Sequence, residues 1–199
     1  MRQGKGMRLA CMAIAIATFT AGCSTTSTSS SPYVQPEGAN TASVRFRVAN
    51  ISRWAYPNLG AVLLFHYADE QCNASPHGRY IDEIGTNKTF VSRANQSIGM
   101  PKPQEYPAYM FVERRFVADK PMVFSVVAAS GGPQRICQVS HQFLPASGQM
   151  YEVAIDVNGL QDCPVQVLRL QLSGGAVVAS KEPTARQLPR FCQSPSLFN

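Results

Sequence analysis

Metal-binding side chains are most concentrated between positions 66 and 72. His66, Asp69, Glu70 and Cys72 supply an imidazole, two carboxylates and a thiol, the groups that ligate zinc and related metals. Two features argue against a metal site. A cysteine held in a disulfide cannot supply a thiolate, and the chain contains no Cys-x-x-Cys pair. We therefore predict no metal and no cofactor.

Side chains suited to acid–base or nucleophilic catalysis are also sparse. The chain has three histidines, His66, His77 and His141, and none of the patterns Gly-x-Ser-x-Gly, Ser-x-x-Lys or His-Glu-x-x-His. His141 shares the parity of apolar residues in a predicted strand, which favours an inward-facing structural role. Asp82 and Glu83 are adjacent, and adjacent strand residues point to opposite faces, so they do not form a carboxylate pair. We predict that the protein is not an enzyme.

The N-terminus has the layout of a secretory signal peptide. Arg2, Lys5 and Arg8 precede an uncharged and largely apolar stretch at residues 9–22. This stretch has 14 residues, whereas a membrane-spanning helix needs about 20. A basic segment followed by a short apolar core is typical of a leader that is removed on export. Residues 1–22 are therefore predicted to be a signal peptide.

The end of this stretch, Thr20-Ala21-Gly22-Cys23, resembles the lipobox of bacterial lipoproteins, which has small residues at the two positions before a cysteine. Thr20 departs from the Leu usual at its position. The resemblance covers only the leader, and it implies that Cys23 carries a diacylglyceryl group and that the Gly22–Cys23 bond is cut. The alternative is an ordinary secretory leader, but the usual Ala-x-Ala cleavage pattern is missing at this point.

Membership in that family implies a lipid anchor in the cell envelope, with the membrane as a partner through Cys23. Two or three acyl chains on one residue give stable anchoring, whereas a single chain gives only reversible binding. In Gram-negative lipoproteins an Asp after the cysteine favours the inner membrane. This chain has Ser24 there, which implies the outer membrane, facing the periplasm.

A run of serine and threonine ending in proline follows the cysteine, and residues 24–32 contain no apolar side chain to bury. Such a composition favours disorder, so we predict a lipidated linker over residues 23–41. Removing the leader takes three of the 18 Lys and Arg residues and none of the 12 acidic ones, so the net charge falls from +6 to about +3. With no block of basic residues, no nucleic-acid partner is expected.

Four cysteines remain after the leader and the lipidated residue are set aside: Cys72, Cys137, Cys163 and Cys192. An even number in an exported protein predicts two disulfides. Four cysteines allow three pairings, and the sequence alone leaves all three open. We prefer Cys137–Cys163, which would close a local meander, with Cys72–Cys192, which would tie the C-terminal tail to the domain.

The body of the chain carries the period-two pattern of β-strands with one wet face. In residues 43–50, for example, Val44 and Phe46 alternate with Arg45 and Arg47. This pattern, or a continuous apolar run of strand length, marks seven segments: residues 43–50, 61–67, 109–117, 122–129, 135–143, 150–158 and 164–172. Turn residues separate many of them, and no segment shows a convincing helical period.

These features predict an all-β protein, an antiparallel β-sandwich of about seven or eight strands that is immunoglobulin-like or transthyretin-like in outline. The sandwich is predicted to span residues 42–175, and residues 176–199 to form an extended C-terminal tail. Two segments are predicted to interrupt the strands, the polar residues 69–88 and the proline-rich residues 99–107.

The last predicted strand contains a register conflict. Val165 and Val167 have one parity, whereas Leu168, Leu170 and Leu172 have the other. A regular strand cannot bury both sets on one face. A bulge near positions 167 and 168, or burial of both faces, would resolve the conflict.

Aromatic loop residues are the best candidates for a partner surface. Trp54 and Tyr56 follow the first strand, and Tyr106 and Tyr109 follow the proline-rich segment. Tyrosine and tryptophan are favoured at binding hot spots, but they also serve as plugs over the ends of a sandwich.

The sequence thus predicts a membrane-anchored envelope lipoprotein that is a non-catalytic binding or structural module. Its partner would be an envelope protein or a glycan. The alternative is a small periplasmic hydrolase or an enzyme inhibitor on the same scaffold. The hydrolase would require His66 or His141 to meet a serine or an acid in a cleft.

Overall fold

The fold consists of two five-stranded β-sheets packed face to face. The computed structural model describes residues 32–50, 61–85, 97–102, 110–129, 136–157 and 163–192. They contain ten strands: β1 (Thr41–Ala49), β2 (Ala61–Tyr67), β3 (Tyr80–Gly85), β4 (Phe111–Val117), β5 (Met122–Ala129), β6 (Ile136–Phe143), β7 (Met150–Asp156), β8 (Val165–Ser173), β9 (Ala176–Lys181) and β10 (Arg186–Gln187). The predicted all-β sandwich is confirmed.

The first sheet has the strand order β4-β1-β7-β8-β9, and the second has the order β10-β6-β5-β2-β3. The strand pairs within these sheets are antiparallel, as predicted, except for β1 and β7, which pair in parallel. A parallel neighbour requires a crossover connection. Between β1 and β7 the chain forms β2 and β3 in the second sheet, β4 in the first, and β5 and β6 in the second. This long-range step leaves no local sequence signal.

The shared core lies between the sheets and is built from the alternating apolar residues. Phe46 of β1 packs edge-on against Phe116 of β4 and Phe124 of β5, with ring centroids 6.0 and 5.6 Å apart. Phe143 of β6 meets Tyr151 of β7 at 5.1 Å, which joins the two sheets at a second point. Edge-to-face rings at such distances add specificity to the burial of apolar area.

The register conflict in β8 is resolved by burial on both faces. The pairing of β7 with β8 runs without a register shift from Ile155↔Val165 to Met150↔Leu170. Val167 is buried in the core between the sheets, while Leu170 is buried on the outer face of the same strand. Leu172 lies near the end of β8 and is 61% exposed.

Three strands were not predicted from the sequence. β3 lies in the segment expected to be polar loop, and β9 and β10 lie in the segment expected to be an extended tail. β9 pairs with β8, and β10 pairs with β6, so the sandwich continues past residue 175. Because β9 is exposed on both faces, its residues show no alternation between apolar and polar types.

The predicted linker is also shorter than expected at its C-terminal end. Tyr33 donates its backbone N–H to the Tyr80 carbonyl at 2.6 Å, and Val34 donates to the His77 carbonyl at 2.6 Å. The Tyr33 ring stacks on Phe116 with centroids 4.8 Å apart. We call residues 32–35 the N-terminal strap, because they lie against the sandwich and not apart from it.

The C-terminal residues cover the outer face of the second sheet. Leu188 and Cys192 are buried there in a small apolar cluster with Phe65 and Tyr67 of β2. The Cys192 carbonyl accepts a hydrogen bond from the Tyr67 hydroxyl at 3.0 Å. The Cys192 N–H donates to Ser140 Oγ at 2.9 Å. These bonds satisfy backbone groups that burial would otherwise leave unpaired.

Both disulfides of the structure have the pairing preferred from the sequence. Cys72 is bonded to Cys192 and Cys137 to Cys163, with Cα–Cα distances of 5.3 and 5.9 Å. The first closes a separation of 120 residues and the second a separation of 26 residues. The longer loop removes more entropy from the unfolded chain.

We predict that the Cys72→Ala/Cys192→Ala variant is less stable than the Cys137→Ala/Cys163→Ala variant. Chain entropy alone gives losses of about 5 and about 3.5 kcal/mol respectively, and the first variant also loses the clamp on the outer apolar cluster. Urea denaturation followed by far-ultraviolet circular dichroism measures both. Equal losses, or a larger loss for the second pair, would contradict this ranking.

Candidate functional site

A concentrated group of charges lies on the outer face of the first sheet. Arg45 of β1, which lies between β4 and β7, is fully buried. It donates to Glu113 Oε1 of β4 from Nε at 3.0 Å and from Nη2 at 2.8 Å. It also reaches Glu152 of β7 at 3.5 Å, and Glu152 pairs with Arg47 at 2.8 Å. We call Arg45, Arg47, Glu113 and Glu152 the ionic cluster. It links three neighbouring strands.

Residues 97–102 form a lid over this cluster. Arg45 Nη2 donates to the carbonyls of Met100 and Pro101, both at 3.0 Å. Glu113 Oε2 accepts from Ser97 Oγ at 2.7 Å and from the Ile98 N–H at 2.8 Å. The face that the sequence predicts to be wet is therefore covered, and the lid is held by hydrogen bonds to charged side chains.

The Glu113 carboxylate is held ionised. Burial tends to raise its pKa, but the hydrogen bonds from Ser97, Arg45 and the Met100 N–H outweigh burial, so the net pKa is lowered. A catalytic acid needs a raised pKa and access to substrate. The Glu113 side chain is 0% exposed and accepts several hydrogen bonds. Its role is therefore to hold β1, β4 and the lid together.

A second buried ion pair joins the two sheets at one side of the sandwich. Arg114 of β4 faces inward and pairs with Asp82 of β3. Asp82 also accepts the N–H of Glu83 at 2.9 Å. Burial, and then the charge of Asp82, raise the pKa of Glu83. Asp82 and Glu83 thus differ in environment, which agrees with their opposite orientation, and Asp82 is committed to the inter-sheet pair.

His66 lines a cavity of about 230 Å³ near the N-terminal strap, together with Ser75, His77 and Lys120. Its ring packs against Tyr33 and Phe116, with centroids 5.3 and 5.4 Å away. Burial, and secondarily the neighbouring His77, lower the pKa of His66 to about 4. Its Nδ1 finds no hydrogen-bond partner among the described residues.

The serine in the His66 cavity does not form a catalytic pair. Ser75 Oγ accepts the backbone N–H of His77 at 3.1 Å, a local turn interaction. A serine nucleophile needs a histidine base, and that base needs a third group to orient it. A neutral His66 held between aromatic rings has no such orienting acid among the described residues.

His141 lines a second cavity, of about 260 Å³, with Lys181, Arg186 and Gln187. Its ring stacks on Phe124 with centroids 5.8 Å apart, and burial lowers the pKa of His141 to about 4. His141 therefore faces inward and is neutral at pH 7. Both cavities are smaller than the roughly 300–1,000 Å³ of typical small-molecule sites.

The residues weighed as metal ligands are separated by their other interactions. Asp69 accepts from the N–H groups of Gln71 and Asn73, at 3.0 and 3.2 Å, and so shapes its own turn. Glu70 pairs with Arg186 at 2.7 Å, and Cys72 is in a disulfide. In the described segments, no three His, Cys, Asp or Glu side chains come together around a metal position.

Several predicted positions lie outside the described residues. These are the lipidation and cleavage residues Gly22 and Cys23 and the aromatic partner-surface residues Trp54, Tyr56, Tyr106 and Tyr109. The described residues include no helix that could span a bilayer. The chain matches no model of a known protein family, no curated protein sequence and no solved structure.

The ionic cluster was not predicted from the sequence, although the sequence contains a signal for it. Arg45, Glu113 and Glu152 occupy the outward parity of three strands, and opposite charges on neighbouring strands attract. The signal becomes readable only when β4, β1 and β7 are known to be neighbours. That order depends on the parallel pairing of β1 with β7, which the sequence does not predict.

We predict that Glu113→Ala lowers the free energy of unfolding by about 3–5 kcal/mol, because it removes the nearer carboxylate of the buried Arg45 guanidinium and leaves only Glu152, at 3.5 Å, to balance the charge. The Arg45→Met/Glu113→Leu double variant should recover most of this loss, since apolar replacements remove both buried charges. Glu37→Ala, at an exposed glutamate, is the control. Chemical denaturation measures all four proteins, and a single variant as stable as the control would refute the role assigned to the cluster.

We also predict that acid weakens the fold through His66 and His141. Their folded pKa of about 4 lies below the usual 6.5, so the unfolded chain binds protons that the folded chain does not. Their contribution is complete above pH 6.5 and is lost as pH falls from 6.5 to 4, by up to about 3 kcal/mol for each histidine.

The measurement is the free energy of unfolding at a series of pH values, in the parent protein and in His141→Gln. The variant should show a shallower decline between pH 6.5 and 4. Identical slopes would exclude His141 as a source of the pH dependence.

Proposed function

We propose that the protein is a lipid-anchored module of the bacterial cell envelope that binds a partner and performs no catalysis. The observation that carries the non-catalytic part is the state of the candidate catalytic groups. His66 and His141 are neutral and packed against aromatic rings, and Glu113 and Asp82 are committed to buried ion pairs. The anchored part follows from the lipobox-like residues that end at Cys23.

The position of the strap supports a short tether. Pro32, the first described residue, is nine residues after Cys23. It forms a β-bridge with Tyr80 of β3. Nine residues span at most about 32 Å even when fully extended. An acylated Cys23 would therefore hold the strap side of the sandwich, where β3 and β4 lie, close to the membrane surface.

The two disulfides support an exported location. They persist in oxidising compartments and are rare where thiols are kept reduced. Cys72–Cys192 fixes the C-terminal residues on one outer face, and Cys137–Cys163 links β6 to a position two residues before β8. Because Ser24 follows Cys23, the outer membrane, on its periplasmic side, is the proposed location.

An envelope protein or a glycan is the proposed class of partner. A net charge of about +3 after removal of the leader, without a basic block, gives no support to nucleic acid. The hydrolase alternative required His66 or His141 to meet a serine or an acid in a cleft. The geometry of both rings supports the binding module over that alternative.

We predict that Cys23→Ser abolishes acylation and cleavage at position 22, whereas Cys11→Ser, which alters the other cysteine of the leader, changes neither. The measurement is incorporation of labelled palmitate, together with the intact mass of the protein recovered from membranes. The parent and the Cys11→Ser protein should both give a chain that begins at residue 23 and carries the mass of acyl groups. A Cys23→Ser chain that is still cut before residue 23 and sediments with membranes would refute the anchor.

A further inference from the structure

Among the described residues, the two sheets have four edges, and three of these are short or capped. The edge of β4 is blocked by the strap, because Gln35 Oε1 accepts the Arg115 N–H at 2.9 Å and the Tyr33 hydroxyl donates to the Arg115 carbonyl at 2.8 Å. The strap also occupies the edge of β3, where the Tyr33 N–H donates to the Tyr80 carbonyl. β10 has only two residues. Such devices prevent sheets from pairing edge to edge.

The fourth edge, β9, has none of these devices. It contains six residues, Ala-Val-Val-Ala-Ser-Lys, of which five are exposed, and no described residue pairs with its outer side. It contains no proline and no bulge, and its one charge, Lys181, is at its end. Val178 is 50% exposed and Leu172, on the paired strand, is 61% exposed. An edge of this kind is a template for a further strand.

The ladder between β8 and β9 defines which backbone groups of β9 point outward. The Glu182 N–H donates to the Val167 carbonyl at 2.9 Å, which marks these two residues as a hydrogen-bonded pair. Hydrogen-bonded and non-hydrogen-bonded pairs alternate along an antiparallel ladder. Val177, Ala179 and Lys181 therefore direct their N–H and C=O groups away from β8, towards the open side.

We propose that this edge pairs with β9 of a second copy of the chain, in antiparallel orientation about a two-fold axis at Val178. Outward-pointing groups on both copies align only when the axis passes through a residue of the strand and not between two residues. With the axis at Val178, Val177 of one copy exchanges hydrogen bonds with Ala179 of the other. The two Val178 side chains then face each other in a non-hydrogen-bonded pair, where side chains approach most closely.

Self-pairing fits the charges of the strand. In this register Lys181 of one copy lies opposite Gly175 of the other, so the only charged residue of β9 meets no like charge. The centre of the contact is formed by small or β-branched uncharged residues, which suit a cross-strand interface. The two copies would form a continuous ten-stranded sheet from the two five-stranded sheets that contain β9.

The ends of the chain are poorly placed to fill this edge. The strap lies against β4, at the opposite end of the β4-β1-β7-β8-β9 sheet and about 19 Å from β9 at the usual strand spacing. Cys192 is fixed on the outer face of the other sheet. The Ser/Thr run that precedes the strap has no apolar residue to set against Val178. This proposal does not depend on the lipid anchor.

The test is a cysteine scan of positions 176–181 in the full chain, one substitution at a time, oxidised with copper phenanthroline in intact cells, so that it works whether or not the chain is anchored. Cross-linked dimer on a non-reducing gel should peak at Val178→Cys and fall on either side, several-fold above the unsubstituted chain. Leu144→Cys, at an exposed leucine outside the sheet edges, is the matched control. A flat profile at the level of this control would overturn the proposal. A cross-link to a product of another mass would assign the edge to a different protein.

A second pair of variants separates edge pairing from chance collision. Ala179→Pro removes an outward-pointing N–H without removing a bond to β8, and proline is tolerated at such edge positions. Combined with Val178→Cys it should abolish the cross-link, whereas Val178→Cys combined with Ala179→Ser should retain it. If the proline variant has an unchanged melting temperature and still cross-links, strand pairing is refuted.

Discussion

The guanidinium of Arg45 is the group around which the outer face of the first sheet is organised. It lies on β1, between β4 and β7, and its donors reach a carboxylate on each neighbour and two carbonyls of the lid. A buried cation is tolerated only where its donors are satisfied. The three strands and residues 97–102 must therefore be in place together, and this requirement couples the lid to the sheet more specifically than apolar contact would.

The second sheet is covered in a different way, with the polar groups supplied by neutral side chains. Ser140 and Tyr67 bind the backbone of Cys192, and Ser125 and Ser140 share a hydrogen bond of 2.6 Å between their hydroxyls. A disulfide from Cys72 then fixes this segment covalently. One outer face of the domain is thus covered by a segment held by charged side chains, and the other by a segment held by a disulfide. A typical sandwich leaves such faces in contact with water.

The predictable part of the fold is the part that local periodicity encodes. Val44, Phe46 and Val48 alternate with charged residues, and β1 forms where this pattern lies. β3 was missed because Asp82 and Glu83 interrupt its apolar residues, and Asp82 is tolerated only because Arg114 on another strand neutralises it. The same limit applies to the site. In the sequence, a catalytic histidine cannot be distinguished from one that packs on a ring, as His141 packs on Phe124. The partners of Arg45 are equally hard to predict, because they lie up to 107 positions away in the chain.

The blocked sheet edges and the open sheet edge lie on different sides of the domain. The strap protects β3 and β4, and the same residues lead back towards Cys23, so the side that a membrane anchor would hold is also the side that cannot add strands. β9 lies at the far end of its sheet from β4. With the tether on one side and β9 on the other, an anchored chain would still be able to pair its β9 with that of a second copy. Because copies held on one surface have a high effective concentration, even a short edge contact of about six residues could then be populated.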